Sequence, residues 1–273
     1  MFILTIALTI KVNDGLVLSA DSATTMVQYT EDGPSVINIY NNANKVFQLH
    51  KELPVGAVTW GLGNIGVSSI STLVKEFRKK ITEGDKVIDL KNYTIESIAH
   101  LFFEFIYHQK YTAMSTTGSM GFVIGGYSHN SDLPEKWRIY IDDSGQCDGP
   151  VLLAPTNTSG AYWDGQPEAI NRLVRGYSGT LTTILEHAGI EPLKIQEIIE
   201  LCAVNIQAPF FSPSMPIQDA IDLADYLIDA TIKYVKYTPG HQTVGGPIEI
   251  AVITKYEGMK WIKRKHYYNN DVN

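Results

Sequence analysis

The spacing of apolar residues changes along the chain from two-residue alternation to helical spacing and back. Alternation over Thr5–Val12 and Leu16–Asp21, with Asn13-Asp14-Gly15 between them, predicts a β-hairpin. A second strand pair is predicted for "KVFQL" and "VGAVTWG", joined through "HKELP". Apolar residues then fall on one helical stripe over residues 64–80 and again over 94–107, which predicts two amphipathic helices.

Alternation returns in the middle of the chain at "MGFVIGGY", "KWRIYID" and "VLLAP". Further helices are predicted over residues 166–176, 180–187, 193–206 and 217–234, and the last strand pair is "PIEIAVIT" with "MKWIKRK". The polar stretch 22–44 is predicted to be a long loop or irregular ribbon. Strands in runs and helices in runs are typical of an α+β fold with antiparallel sheets.

Composition narrows the class of protein without naming a reaction. The chain has 273 residues, of which 44% are hydrophobic, so it can bury a sizeable core, and we expect a single domain over 1–273. The net charge of −7 argues against a nucleic-acid partner. The basic cluster Lys260–Lys265, "KWIKRK", is interpreted as a solvated last strand.

Location and cofactors are inferred from what the sequence lacks. Cys147 and Cys202 are far apart in sequence, which indicates reduced thiols in a cytoplasmic protein. The N-terminus lacks the features of a signal peptide, and no apolar run is long enough to span a membrane, so no membrane partner is expected. The histidines show no metal-ligand spacing, so neither a metal nor a cofactor is expected.

Gly61, Gly63 and Gly66 form a G-x-G-x-x-G motif between strand-like and helix-like segments. This order is typical of a dinucleotide-binding turn, and Asp85 or Asp89 could act as the ribose acid. Against that hypothesis, several antiparallel strands precede the motif and no repeated βαβ pattern follows it. A dinucleotide-dependent oxidoreductase therefore remains the alternative from another class.

A more specific signal lies in "TIALTIKVNDGLVLSADSATT", "NKVFQL", "GAVTWGLG" and "VGGPIEIAVIT", which occur in this order along the chain. Together these segments resemble proteasome β-subunits and their bacterial ring-protease relatives, within the N-terminal-nucleophile hydrolases. The resemblance implies a four-layer αββα sandwich of antiparallel sheets. It also implies that Thr5 is the nucleophile, Asp21 the structural aspartate, Lys45 the catalytic lysine and Gly61 the oxyanion-hole donor.

For a bacterial member of this family, the resemblance implies a threonine-type endopeptidase or amidohydrolase that forms an acyl-threonine intermediate. It further implies a homo-oligomer in a ring or related assembly, acting on peptides or unfolded proteins, with an ATP-dependent unfoldase as a possible partner. A non-catalytic assembly subunit of the same fold is the alternative within the family.

Several features depart from the family pattern. Thr5 is preceded by Met1–Leu4, which we interpret as a short propeptide or a misassigned start. The family's turn serine is replaced by Asp164, and the late Asp-x-x-Ser motif by His241 to Val244. We therefore expect Asp164 and His241 to form a replacement pair at the site. Residues 265–273 are expected to form a disordered tail.

Overall fold

The computed structural model describes residues 5–30 and 33–265. Two five-stranded antiparallel sheets dominate, with strand orders β12-β1-β2-β13-β14 in the first sheet and β11-β10-β9-β6-β5 in the second. The strands are β1 (Ile6–Val12), β2 (Gly15–Ala20), β3 (Thr24–Thr30), β4 (Gly33–Tyr40), β5 (Val46–Gln48), β6 (Val55–Gly61), β7 (Asn64–Ile65), β8 (Ser68–Ser69), β9 (Met120–Gly126), β10 (Glu135–Ile141), β11 (Val151–Leu152), β12 (Gly160–Gly165), β13 (Glu249–Thr254) and β14 (Gly258–Lys263).

The helices lie in two runs, one between β8 and β9 and the other between β12 and β13. They are α1 (Ile70–Glu83), α2 (Ile95–Phe103), α3 (Glu168–Ile170), α4 (Leu181–His187), α5 (Pro192–Asn205) and α6 (Ile217–Tyr237). Glu104–Thr112 and Asn171–Arg175 continue α2 and α3 with π-helical hydrogen bonding. The mixed α/β class with antiparallel sheets is confirmed.

Alternation along β1 divides its side chains between two cores. Ile6, Leu8, Ile10 and Val12 pack in a cluster with the buried face of α6. Ala7, on the opposite face, belongs to a cluster that contains residues from both sheets. A third cluster joins α1 and α2 to the second sheet. Because β1 lies between β12 and β2, the residue before it is held by the interior of the first sheet.

Three sequence-based expectations were wrong in detail. The polar stretch 22–44, expected to be a long loop or irregular ribbon, contains the antiparallel pair β3 and β4 with a register shift, so its loop alternative was wrong; residues 31–32 lie outside the described part. The strand β12, "GAYWDG", was not expected and pairs with β1. The helix expected from residue 64 begins at Ile70, because the short β7–β8 hairpin precedes it and the Ser69 side chain caps it by accepting the N–H of Thr72.

Two lysines are buried where alternation turns them away from the helix-packed faces of β1 and β10. Lys11 and Lys136 are 4% and 5% exposed, and their ammonium groups donate to the carbonyl oxygens of Thr156 (2.6 Å) and Gly160 (3.2 Å). Within residues 5–30 and 33–265, neither ammonium lies within salt-bridge distance of a carboxylate. Burial, followed by the charge of Lys11, lowers the pKa of Lys136 to about 7.

We expect Lys136→Met to raise the free energy of unfolding at pH 7 by about 1–3 kcal/mol, because it removes a buried charge without a carboxylate partner. The folded-state pKa lies below the unfolded value of about 10.4, so the unfolded state binds more protons between the two values. Wild-type stability should therefore gain from rising pH between about 7 and 10, and the advantage of the variant should shrink there. Urea unfolding at both pH values, with exposed Lys260→Met as the control, measures this; a variant no more stable than wild type at pH 7 contradicts the expectation.

Candidate functional site

Thr5 immediately precedes β1 and is buried, with 3% of its surface exposed. Its carbonyl oxygen accepts the N–H of Gln166 at 2.7 Å, just beyond the end of β12. Gly165 lies so close that a Cβ there would be 2.0 Å from the same oxygen. The backbone of the candidate nucleophile is thus held by the end of β12, which requires glycine at the point of contact.

Asp21 follows β2 and is fully buried, and its carboxylate accepts hydrogen bonds from four donors. Oδ1 accepts the N–H of Ile6 (3.1 Å) and the ammonium of Lys45 (2.7 Å). Oδ2 accepts the N–H groups of Ala23 and Gly245, both at 3.0 Å. Because an ionised carboxylate is a pure acceptor, this set of donors satisfies it without water. Asp21 therefore joins the start of β1 to three other segments.

Lys45 immediately precedes β5, and its side chain is 6% exposed. Burial lowers the pKa of its ammonium, while the neighbouring carboxylates of Asp21 and Glu249 oppose that shift. Since one oxygen of Asp21 binds both Lys45 and the N–H of Ile6, the ammonium lies beside the Thr5–Ile6 backbone. The structure places Asp21 and Lys45 in contact and both beside the backbone of Thr5, and the catalytic roles expected for the three residues stay a prediction.

Gly61 ends β6 with φ of +87°, and a Cβ there would lie 2.4 Å from the Ser119 carbonyl oxygen. The backbone of Thr59, two residues earlier on β6, donates to the Lys45 carbonyl oxygen at 3.0 Å, so Gly61 lies at the end of the strand that pairs beside Lys45. A Cβ on Gly63 would lie 3.1 Å from the Thr24 hydroxyl oxygen. The glycine turn therefore lies over the segment that follows Asp21.

The same geometry disfavours the dinucleotide hypothesis. The β7–β8 hairpin, whose turn contains Gly66, separates Gly61 and Gly63 from α1, so the glycine turn does not open a helix N-terminus, where a pyrophosphate would bind. The strands on either side of β6 are antiparallel to it. Across the part of the chain that the structure describes, no group of three or more His, Cys, Asp or Glu side chains is arranged to hold a metal ion.

Asp164 and His241 are not brought together. The Asp164 carboxylate accepts the Tyr162 hydroxyl proton at 2.8 Å and the Gly165 N–H at 2.7 Å, and burial with this carboxylate raises the pKa of Tyr162. His241 is exposed, and among the described residues no hydrogen bond or ion pair joins it to Asp164. Asp164 is the β-sheet partner of Ala7 on β1 and therefore lies near Thr5, whereas no contact to His241 is found among the described residues.

Two parts of the site were missed by the sequence analysis. The Gly245 N–H binds Asp21, and the next residue, Gly246, must be glycine because its φ is +73° and a Cβ there would lie 2.4 Å from the Asn41 carbonyl oxygen. Glu249 and Lys265 form a buried ion pair of 3.4 Å behind Lys45. The cluster Lys260–Lys265 is thus not wholly solvated, because the Lys265 side chain is 5% exposed. In the sequence, only the position of Lys265 at the end of the basic run could have indicated that it is buried. Residues 1–4 and 266–273, including most of the expected tail, lie outside the described residues.

The two antiparallel sheets and their helices form a mixed α/β fold that resembles the fold of solved proteasome-like proteins. One similar solved structure is an Anbu (Gly-1) mutant from Hyphomicrobium sp. strain MC1, with a TM-score of 0.53 and 16% identity, covering 97% of this chain and 89% of the other. Another is Anbu (ancestral beta-subunit) from Yersinia bercovieri, with a TM-score of 0.49 and 14% identity, covering 96% and 89%. No protein-family profile and no curated protein matches the chain.

These neighbours correct the expected family. The chain was expected to be a member of the proteasome β-subunit and N-terminal-nucleophile hydrolase family, and that assignment was wrong: its structural neighbours are Anbu proteins, which are proteasome-like but form a distinct family. At 16% identity the likeness shows the fold alone. No helix among the described residues is both long enough and apolar enough to cross a membrane.

We expect Asp21→Ala to lower the free energy of unfolding by about 3–5 kcal/mol, because it leaves a buried ammonium without its partner. Should this variant fail to fold, Asp21→Asn gives the same test, and adding Lys45→Met to it should recover part of the loss. Urea unfolding measures each. The matched control is Glu83→Ala, which breaks the exposed Lys51–Glu83 pair and should cost less than about 1 kcal/mol. Equal losses at the two pairs would contradict the expectation.

Gly61→Ala should destabilise the protein more than Gly189→Ala does. Both glycines have positive φ, +87° and +78°, so an alanine carries a similar backbone penalty at either position. Only at Gly61 would the added Cβ also meet backbone atoms, since nothing lies within 4 Å at Gly189. Thermal unfolding of the two variants compares them directly; equal shifts in midpoint would show that the close approach to Ser119 is not a constraint.

Proposed function

We propose that this chain is a threonine-type hydrolase that cleaves amide bonds, with Thr5 as the nucleophile. The observation that carries the proposal is the buried Asp21–Lys45 pair of 2.7 Å, attached through Asp21 to the N–H of the residue after Thr5. A threonine hydroxyl needs an adjacent base, and a buried ammonium beside a free Thr5 amine would disfavour protonation of that amine and keep it available as the base. The similarity of the fold to Anbu structures supports the same choice.

The layer order is part of the proposal. One cluster packs α1 and α2 on the second sheet, one packs α6 on the first sheet, and one contains residues of both sheets. We infer from these clusters a four-layer αββα sandwich, in which the candidate site lies at one edge of the contact between the sheets.

The chemistry proceeds in two steps. The α-amine of Thr5 takes the proton from Thr5 Oγ, which attacks the substrate carbonyl carbon; the amine then gives that proton to the leaving nitrogen as the C–N bond breaks. An acyl-threonine ester remains, and water cleaves it to release the acid and restore the hydroxyl. The cationic Lys45 disfavours protonation of the amine. The Gly61 N–H is proposed to donate to the oxyanion, a role in which loss of one donor typically costs about 10²–10³ in turnover.

This mechanism requires a free amine on Thr5, so Met1–Leu4 must be absent from the active form. The proposal extends to peptides or unfolded proteins as substrates, to a homo-oligomer and to an ATP-dependent unfoldase as a partner. The roles of Asp164 and His241 remain proposals, Asp164 through its place beside β1 and His241 without a contact to support it.

A non-catalytic assembly subunit is the second candidate function, and one observation favours it. Val244 lies where the family's late Asp-x-x-Ser motif has its serine. Its side chain is fully buried in the cluster that contains α6. An apolar side chain there supplies no hydroxyl to the site. The two candidates differ in whether a chain that starts at Thr5 hydrolyses amides.

The test uses protein prepared to begin at Thr5, with its N-terminus verified by intact mass, and a panel of fluorogenic peptides. We expect hydrolysis by the wild type, loss of about 10³-fold or more in Thr5→Ala, and substantial retention in Thr5→Ser, which keeps a hydroxyl. A threonine-reactive electrophile should add its mass to the wild type alone. Absence of hydrolysis and of labelling in a folded chain that starts at Thr5 would favour the non-catalytic subunit.

A further inference from the structure

A second buried ion pair lies directly behind Lys45. Glu249, on β13, is 2% exposed, and Lys265 follows the end of β14 with its side chain 5% exposed. Their charged groups are 3.4 Å apart. The carboxylate oxygen of Glu249 that faces Lys265 also accepts the backbone N–H of Lys45 at 3.1 Å. Glu249 therefore holds the main chain of the residue whose side chain binds Asp21.

Lys265 also binds the segments on both sides of the Asp21–Lys45 pair. Its ammonium donates to the Ser22 hydroxyl at 2.7 Å and to the carbonyl oxygen of Ala43. Ser22 follows Asp21 in the chain, and Ala43 lies two residues before Lys45. The Lys265 ammonium thus contacts three segments next to the Asp21–Lys45 pair, at Ser22, Ala43 and Glu249.

Stability alone does not account for a second buried pair. Replacing a buried ion pair with apolar side chains of similar volume is often neutral or stabilising, whereas removing one partner is costly. Three charged groups face Lys45: Asp21 after β2, Glu249 on β13 and Lys265 after β14. With Lys45 they sum to no net charge. Such an arrangement fixes geometry, because Glu249 binds both the Lys265 ammonium and the main chain of Lys45, whose side chain binds Asp21.

We propose that Glu249 and Lys265 are positioning residues for Lys45, with Glu249 holding its backbone and Lys265 fixing and neutralising Glu249. The effect on turnover rests on the proposed function, whereas the effect on the position of Lys45 does not. A residue near the C-terminal end of the described chain thereby sets the geometry of a site that begins at Thr5.

The first measurement separates positioning from activity. Hydrogen exchange at the Lys45 amide, followed by NMR, should become about tenfold faster or more in Glu249→Ala, which removes the acceptor, and faster in Lys265→Met. Glu249→Gln retains an amide oxygen and should stay closer to wild type. The matched control is Lys263→Met, which removes a surface lysine of β14 paired with Asp225 at 2.7 Å. Unchanged exchange in folded Glu249→Ala and Lys265→Met would overturn the proposal.

The second measurement applies if the wild type hydrolyses peptides. Lys265→Met should lower kcat about tenfold or more with little change in KM, the loss typical of removing a supporting shell. Lys265→Arg keeps the charge and should restore part of it. Lys263→Met should match the wild type. Equal kcat in Lys265→Met and wild type would overturn the proposal.

The pH dependence of kcat gives a readout that a purely structural role would not move. Lys265→Met removes a positive charge and should shift the acid limb to higher pH, because the base then holds its proton more tightly. Glu249→Gln removes a negative charge and should shift it to lower pH. Asp164, across β1, is present in all variants and does not affect the comparison. Shifts of the same sign would overturn the proposal. A wild type without activity, together with faster exchange in Lys265→Met, refutes the proposed function and supports the positioning role.

Discussion

The candidate site depends on the hydrogen bonds and the ion pair that the buried carboxylate of Asp21 accepts. Four segments meet there, because the two oxygens of Asp21 accept hydrogen bonds from Ile6 at the start of β1, from Lys45, from Ala23 and from Gly245 in the turn before β13. No neutral side chain of similar size accepts so many hydrogen bonds. The buried carboxylate and the buried ammonium are each acceptable in the interior only because the other is present.

The sheets bring those four segments to one place. β1 and β13 both flank β2 in the first sheet, so the ends of these strands are fixed relative to Asp21. β5 belongs to the second sheet, and the Asp21–Lys45 pair therefore joins one sheet to the other. The cluster that contains Leu18 and Val58 holds the same two sheets together through apolar contact alone. The Asp21–Lys45 ion pair and the apolar cluster thus both hold the first sheet against the second.

Much of this arrangement could be predicted from the sequence, where local patterns were strong. The alternation in "TIALTIKV" and the turn residues after it specify the first hairpin. The resemblance implied that Thr5, Asp21 and Lys45 share one site, and the structure places Asp21 and Lys45 in contact beside the Thr5–Ile6 backbone. The strand β12 was missed because "GAYWDG" shows no clean alternation, and pairing with β1 determines its conformation. Glu249 and Lys265 were missed because a lysine in a basic run and a glutamate in a strand carry no signal of mutual burial. The resemblance led to a fold of antiparallel sheets that the structure has, but it named the wrong family, because the structural neighbours are Anbu proteins, a distinct proteasome-like family.

The contacts that build the site join residues very far apart in the chain. Asp21 and Gly245 are separated by 224 positions, and Lys45 and Glu249 by 204. Forming such contacts requires closing loops that span most of the polypeptide, which places them late in folding. A chain still emerging from the ribosome lacks β13 and Lys265 and cannot assemble the charge cluster. The complete charge cluster therefore forms only after β13 and Lys265 have been synthesised and β13 has paired with β2, so a nascent chain that lacks them does not contain the assembled site.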